Sequence, residues 1–140
     1  MNIERGNKMG RRVRIATVMI ACIGISGCVT EQQKASIYGM QRPLSAAERA
    51  AVLNYVKTDF FDPYSMRDVS ISNALSGSDP AKNLICLRAN AKNRMGAYTG
   101  LRTTAILLNG SIVQNSSTDD PACTDARLQY GPFPELERAA

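Results

Sequence analysis

A run of apolar residues from Ile15 to Ile25, broken only by Thr17 and by small residues, decides how much of this chain can take part in a fold. Five cations precede it (Arg5, Lys8, Arg11, Arg12 and Arg14) against a single acid, Glu4. The run is too short to cross a bilayer, which takes about 20 residues. Its length and basic flank are those of a secretory h-region, a segment that is removed and adds nothing to a core. The fold must be built from the residues C-terminal to it. The 140 residues leave room for one small domain.

The run ends in Ile25-Ser26-Gly27-Cys28. An aliphatic residue, two small residues and a cysteine resemble the lipobox of bacterial lipoprotein signal peptides. Small residues let the extended backbone fit the peptidase, and the thiol accepts the diacylglycerol. The resemblance covers residues 1–28. It implies cleavage before Cys28, lipid on its sulfur and attachment to a membrane of the bacterial envelope. Met9 offers a more compact start. Aspartate after the lipidated cysteine favours inner-membrane retention in the enterobacterial sorting pattern. Val29 therefore points to the outer membrane, facing the periplasm. The expected division is a signal peptide over 1–27, a lipidated Cys28 with a flexible tether to residue 44, and a domain over 45–140. The tether reading rests on a mostly polar stretch without clear periodicity. A flexible coil of about 15 residues reaches roughly 20 Å.

The formal charge of +5 is concentrated at the front of the chain. Residues 1–27 hold five of the 17 Lys+Arg and one of the 12 Asp+Glu. The remainder has 12 and 11, a side-chain charge of +1. A near-neutral domain has no electrostatic footprint for a polyphosphate backbone, so nucleic acid is not an expected partner. His is absent, which excludes Ser-His-Asp, Cys-His and His-metal chemistry. No cofactor and no metal are expected.

Of four cysteines, Cys22 lies in the apolar run and Cys28 would carry lipid. Cys86 and Cys123 remain, an even pair in an oxidising compartment, and the simplest reading is one disulfide. Closing that loop would stabilise the fold by about 4 kcal/mol in the chain-entropy view. Two free thiols are the alternative. A nucleophilic Cys86 has no His to deprotonate it and sits in an apolar run that would raise its pKa.

Ser45-Ala46-Ala47-Glu48 is a capping box. Val52, Val56 and Phe60 recur at helical spacing, so the pattern predicts a helix from Ala46 to Phe60 that stops before Asp62-Pro63. Val69 and Ile71 alternate with polar residues as in a half-buried strand. Asn83 to Ala89 and Leu101 to Leu108 read as two more strands. Asn109-Gly110 is a two-residue hairpin turn, and Ser111 to Gln114 is the returning strand. Asn90 to Gly100 reads as a long connection or bulged strand end, 115–125 as a polar loop. The C-terminal stretch reads as irregular, with at most a helical turn at Glu135–Ala139. The expected class is α+β: one helix packed on an antiparallel sheet of about four strands, with one disulfide.

Two clusters stand out. One is Asp62-Pro63-Tyr64-Ser65-Met66-Arg67-Asp68. The other runs from Cys86 through Asn90-Ala91-Lys92-Asn93 to Gly96-Ala97-Tyr98-Thr99-Gly100. Together they resemble an uncharacterised group of small secreted or lipid-anchored bacterial proteins. The group usually has Gly where this chain has Ala97. The match covers about 40 residues, from Asp62 to Arg102, and implies a fold and a compartment but no reaction. Asn90, Lys92, Asn93, Arg94 and Tyr98 offer donors for a carboxylate, a sugar or a peptide backbone. The same residues also suit a turn whose amides satisfy its own backbone. Asp59 with Asp62 could serve as acid and base. Asp119, Asp120 and Asp125 could hold Ca²⁺, although their spacing lacks the alternating EF-hand pattern. The leading expectation is a non-catalytic binding or scaffolding domain. Its partners would be the membrane, through lipid on Cys28, and an envelope protein or cell-wall component. Inhibition of a wall-degrading enzyme and a small hydrolase are the alternatives.

Overall fold

Ser45 and Glu48 close their capping box in both directions. The serine oxygen accepts from the Glu48 amide, and the Glu48 carboxylate accepts from the Ser45 amide at 2.8 Å. This sets the start of a helix over Ala46–Asp59. Phe60, extended at ψ 144°, ends it one residue earlier than the periodicity predicts. The computed structural model describes residues 29–137, so the expected signal peptide and the expected lipidation of Cys28 lie outside the described residues.

In chain order the elements are α1 (Glu31–Gly39), α2 (Ala46–Asp59), β1 (Arg67–Ser72), β2 (Leu75–Ser76), β3 (Lys82–Lys92), β4 (Tyr98–Asn109), β5 (Ile112–Thr118), β6 (Tyr130–Pro132) and α3 (Pro134–Glu137). Short 3₁₀ turns lie at Pro63–Ser65 and Pro121–Thr124. The strands form one antiparallel sheet in the order β5-β4-β3-β1-β6, with β2 also paired to β3. The class is α+β, and the described residues hold six strands rather than about four. Two strands were hidden by their brevity. β6 was further masked by Pro132, which an edge strand tolerates because one side of its backbone needs no partner.

The stretch expected as a flexible tether is largely the helix α1. Thr30 and Gln33 close a second capping box there, and Tyr38 is buried at 8% exposure. The Tyr38 hydroxyl donates to the Ala122 carbonyl at 2.8 Å, across 84 residues of sequence. After α1, Arg42 pairs with Ala74 as an isolated bridge, both backbone amides donating across it. The chain from Glu31 onward is therefore part of the domain.

Side chains alternate across the sheet and divide the core in two. Ile85, Leu87, Ile106 and Leu108 face one side, where they meet Val52 and Val56 of α2 with Phe133 and Leu136 near the C-terminus. Cys86 and Ala105 face the other side, with Tyr38, Leu75, Cys123 and Leu128. The Cys86–Cys123 disulfide is formed, with 5.6 Å between the Cα atoms.

Glu48 is the one acid buried in the described fold, at 4% exposure. Its carboxylate accepts from both Arg42 terminal nitrogens (2.8 and 2.9 Å) and from Asn83 Nδ2 (3.0 Å). The Arg42 hydrogen bonds hold its pKa down at about 2, overcoming the burial that would raise it. One side chain thus ties the α1–α2 connection, the start of α2 and the start of β3 together.

Candidate functional site

The two motif clusters meet in space. β3 and β4 run on beyond the expected strand ends to a tight turn, so Asn90–Gly100 is a hairpin end and not a long connection. Lys92 and Tyr98 are cross-strand partners. The Tyr98 hydroxyl donates to the Ser65 carbonyl at 2.9 Å. The Arg67 guanidinium lies 4.4 Å from the centre of the Tyr98 ring, and Lys92 Nζ lies 5.4 Å from it. Lys92 also sits 3.9 Å from an Asp62 oxygen. The Asp-Pro-x-Ser segment and the Tyr98 motif therefore form one latch, which fastens the turn after α2 to the hairpin end.

Four of the five residues singled out as a binding loop are engaged inside this latch. Asn93 Oδ1 accepts from the amides of Met95 and Ala97, at 2.9 and 3.1 Å. Asn90 Oδ1 accepts from the Gly100 amide at 3.1 Å. Gly96 and Gly100 have φ of +79° and +88°, conformations that side chains rarely adopt. Arg94 is exposed at the tip next to Met95, which is 87% exposed. Of the five residues, Arg94 is the one directed to solvent without a fixed role in the turn.

Four of the acids singled out from the sequence have separate partners. Asp62 faces Lys92, Asp119 pairs with Arg102, Asp120 caps the Ala122 amide, and Asp125 grips Arg127. Hydrogen bonds from Arg127 hold the Asp125 carboxyl down at about 2. Among the described residues no three Asp, Glu, Cys or His side chains are placed to hold a metal ion.

A second region was not anticipated. A groove of about 580 Å³ opens between α1, the 3₁₀ turn at Pro121–Thr124 and one face of the sheet. Ile37, Leu75, Leu84 and Leu107 line it, together with Pro121, Ala122 and Val29. Lys34, Asp79, Lys82 and Asp125 stand around it. These charges have partners: Lys34 with Glu31 at 2.9 Å, Lys82 with Asp79 at 3.7 Å, and Asp125 with Arg127 at 2.6 Å.

The wall of this groove depends on aromatic residues whose hydroxyls reach backbone carbonyls. Tyr38 binds Ala122, and Tyr130 binds the Cys123 carbonyl at 2.8 Å. Burial pushes both phenol pKa values up. Arg127 and Arg88 cover their rings, 5.1 and 4.1 Å from the centroids. Gln41 donates to the carbonyls of Tyr38 and Arg127 and accepts from the Gln129 amide, so it splints the end of α1 to the segment leading into β6. The groove was hidden in the sequence because it needs α1 as a wall. The available signal was Thr30-Glu31-Gln32-Gln33, a capping-box pattern in a stretch otherwise too polar to mark a helix.

No family model, no curated protein and no solved structure matches this chain.

Proposed function

We propose that the chain is a lipid-anchored protein of the bacterial envelope whose domain is a non-catalytic binding module, with the groove beside α1 as its binding surface. The observation that carries this reading is the position of the groove. It is lined by aliphatic side chains and reaches Val29, the residue after the lipobox cysteine. The Cys86–Cys123 disulfide supports an oxidising compartment. With α1 capped at Thr30, only Val29 separates the cap from the proposed anchor. The domain would then sit on the bilayer surface instead of ranging over the reach of a tether.

The test is metabolic labelling with palmitate, followed by separation of the inner and outer membranes. The wild-type chain is expected to be labelled, processed and recovered with the outer membrane. Cys28→Ala is expected to remain an unlabelled precursor. Labelling of the Cys28→Ala variant would overturn the reading.

A second reading, inhibition of a wall-degrading enzyme, is favoured by the hairpin tip. Arg94 and Met95 project from a turn that Asn93 and the Tyr98 latch hold rigid, the form of an inserting loop. Loss of lysozyme inhibition in Arg94→Ala, with unchanged melting, would support it. Absence of inhibition by the wild-type chain would remove it.

A further inference from the structure

We infer that the groove between α1 and the sheet receives one of the acyl chains carried by Cys28, a reading that rests on the lipid anchor proposed above. Three observations converge on an uncharged hydrocarbon chain as the ligand. The lining contributed by Ile37, Leu75, Leu84 and Leu107 is aliphatic. Among the described residues, no buried side-chain nitrogen or oxygen lacks a hydrogen-bond partner. The groove therefore presents no buried polar side chain waiting for a polar ligand. Each charge around it already has a partner of opposite sign, Lys82 in Asp79, Lys34 in Glu31 and Asp125 in Arg127, and these charges stand at the rim while the aliphatic side chains form the lining. What remains is recognition by shape and apolar contact.

The source of the chain follows from covalent continuity. Val29 lines the groove, and a group on Cys28 begins one residue before it. A ligand attached there enters at a high effective concentration and loses little further freedom on binding. The volume of about 580 Å³ lies within the range of sites for single small ligands. A mature lipoprotein carries more than one acyl chain, so a chain in the groove leaves others for the bilayer.

Relative magnitudes say when the groove would be filled. Moving a chain from bilayer to groove exchanges one hydrocarbon environment for another, with little net hydrophobic gain. Moving it from water into the groove gains the full burial of its methylenes. The groove is therefore expected to hold a chain when the lipid is out of a bilayer, as in passage between two membranes. α1 is the wall on the Val29 side, held over the groove by the Tyr38 hydroxyl on Ala122 and by the Gln41 contacts.

The test uses the full chain in cells fed a diazirine-bearing fatty acid. After illumination, the crosslinked peptides are identified by mass. The expected result is a link between the lipid on the Cys28 peptide and peptides of the same chain carrying Ile37, Leu84 or Leu107. Ala122→Trp, which fills the groove while leaving the Ala122 carbonyl in place, should abolish those links and leave the label on Cys28 intact. Leu107→Gln serves as a second variant, with protease resistance and the intact disulfide confirming that each variant is folded. A labelled wild-type chain crosslinked only to bilayer lipid or to other proteins would overturn the inference while preserving the lipid anchor. A phospholipid adduct on the groove peptides, without a Cys28 link, would overturn it in favour of a lipid taken from the membrane. An unlabelled wild-type chain would overturn the anchor itself.

Discussion

On one face of the sheet, Val52 and Val56 pack against Ile85, Leu87, Ile106, Leu108 and Phe133 in a continuous apolar layer. On the other face the buried cluster is smaller, and its members are joined by a disulfide, two phenol hydroxyls on backbone carbonyls and two guanidinium–ring contacts. The first face rests mainly on its larger buried apolar set, with polar links such as Arg49–Glu135 at its edge. The second has a smaller apolar set and depends more on specific bonds, most of them between residues far apart in sequence. A layer of the second kind tolerates a groove, because the bonds fix its walls without filling the space between them.

The sharpest way to break this comparison is to remove the covalent link. Cys86→Ala with Cys123→Ala is expected to cost about 4 kcal/mol, from a loop of that length in the chain-entropy view. Denaturant unfolding measures it. A loss well below that of a single core truncation would mean the second face does not depend on its bridge. On the first face, Ile106→Ala should cost about 3 kcal/mol by removing buried methylenes and leaving a cavity. The bridge should remain intact on a non-reducing gel, since Cys86 and Ile106 lie on opposite sides of the sheet.

Glu48 sharpens the comparison because it joins the start of α2 to β3 through charge. Its pKa is lowered from 4.5 to about 2, so its folded state binds a proton less readily than the unfolded chain does. The sign is set by that difference. Its contribution is fully present above pH 5 and is lost as pH falls toward 2. The loss is about 2 kcal/mol, reduced from the full linkage value because half-exposed Arg42 is screened by solvent. Glu48→Gln should flatten the stability profile over that window, and melting at stepped pH reads it. The smallest effect is expected from Tyr38→Phe, which removes one neutral hydrogen bond at about 1 kcal/mol. Hydrogen exchange should then rise in α1 and remain unchanged in α2.

These two faces also differed in how far they could be read from sequence. The capping box and the Val52, Val56, Phe60 spacing located α2 to within one residue. Asn109-Gly110 located the β4–β5 hairpin one residue early: Asn109 pairs with Ile112, and Gly110-Ser111 make the turn, with Gly110 at φ +60°. Both signals are local. The pairing of Cys86 with Cys123 was legible by elimination among four cysteines. α1 was not legible, since Ile37 and Tyr38 are its only large apolar residues and its reason for folding is a carbonyl 84 residues away. β5 extends through polar Asn115–Thr118 because twelve-residue β4 offers a matching ladder, which no property of β5 alone records. At the candidate site, the side-chain amides of Asn90 and Asn93 could equally have faced a ligand or their own turn. Only the placement of the Gly100, Met95 and Ala97 amides decided it.

The position of β1 between β3 and β6 has a consequence in time. A chain made or threaded from its N-terminus presents β1 early, yet one edge of β1 stays unpaired until residues 130–132 arrive. Phe133 and Leu136, both fully enclosed, arrive later still. The disulfide loop must also contain all of β4 and β5 before it can close. Completion of the fold thus waits for residues 130–136, and a nascent or partly translocated chain remains pliable until they are free.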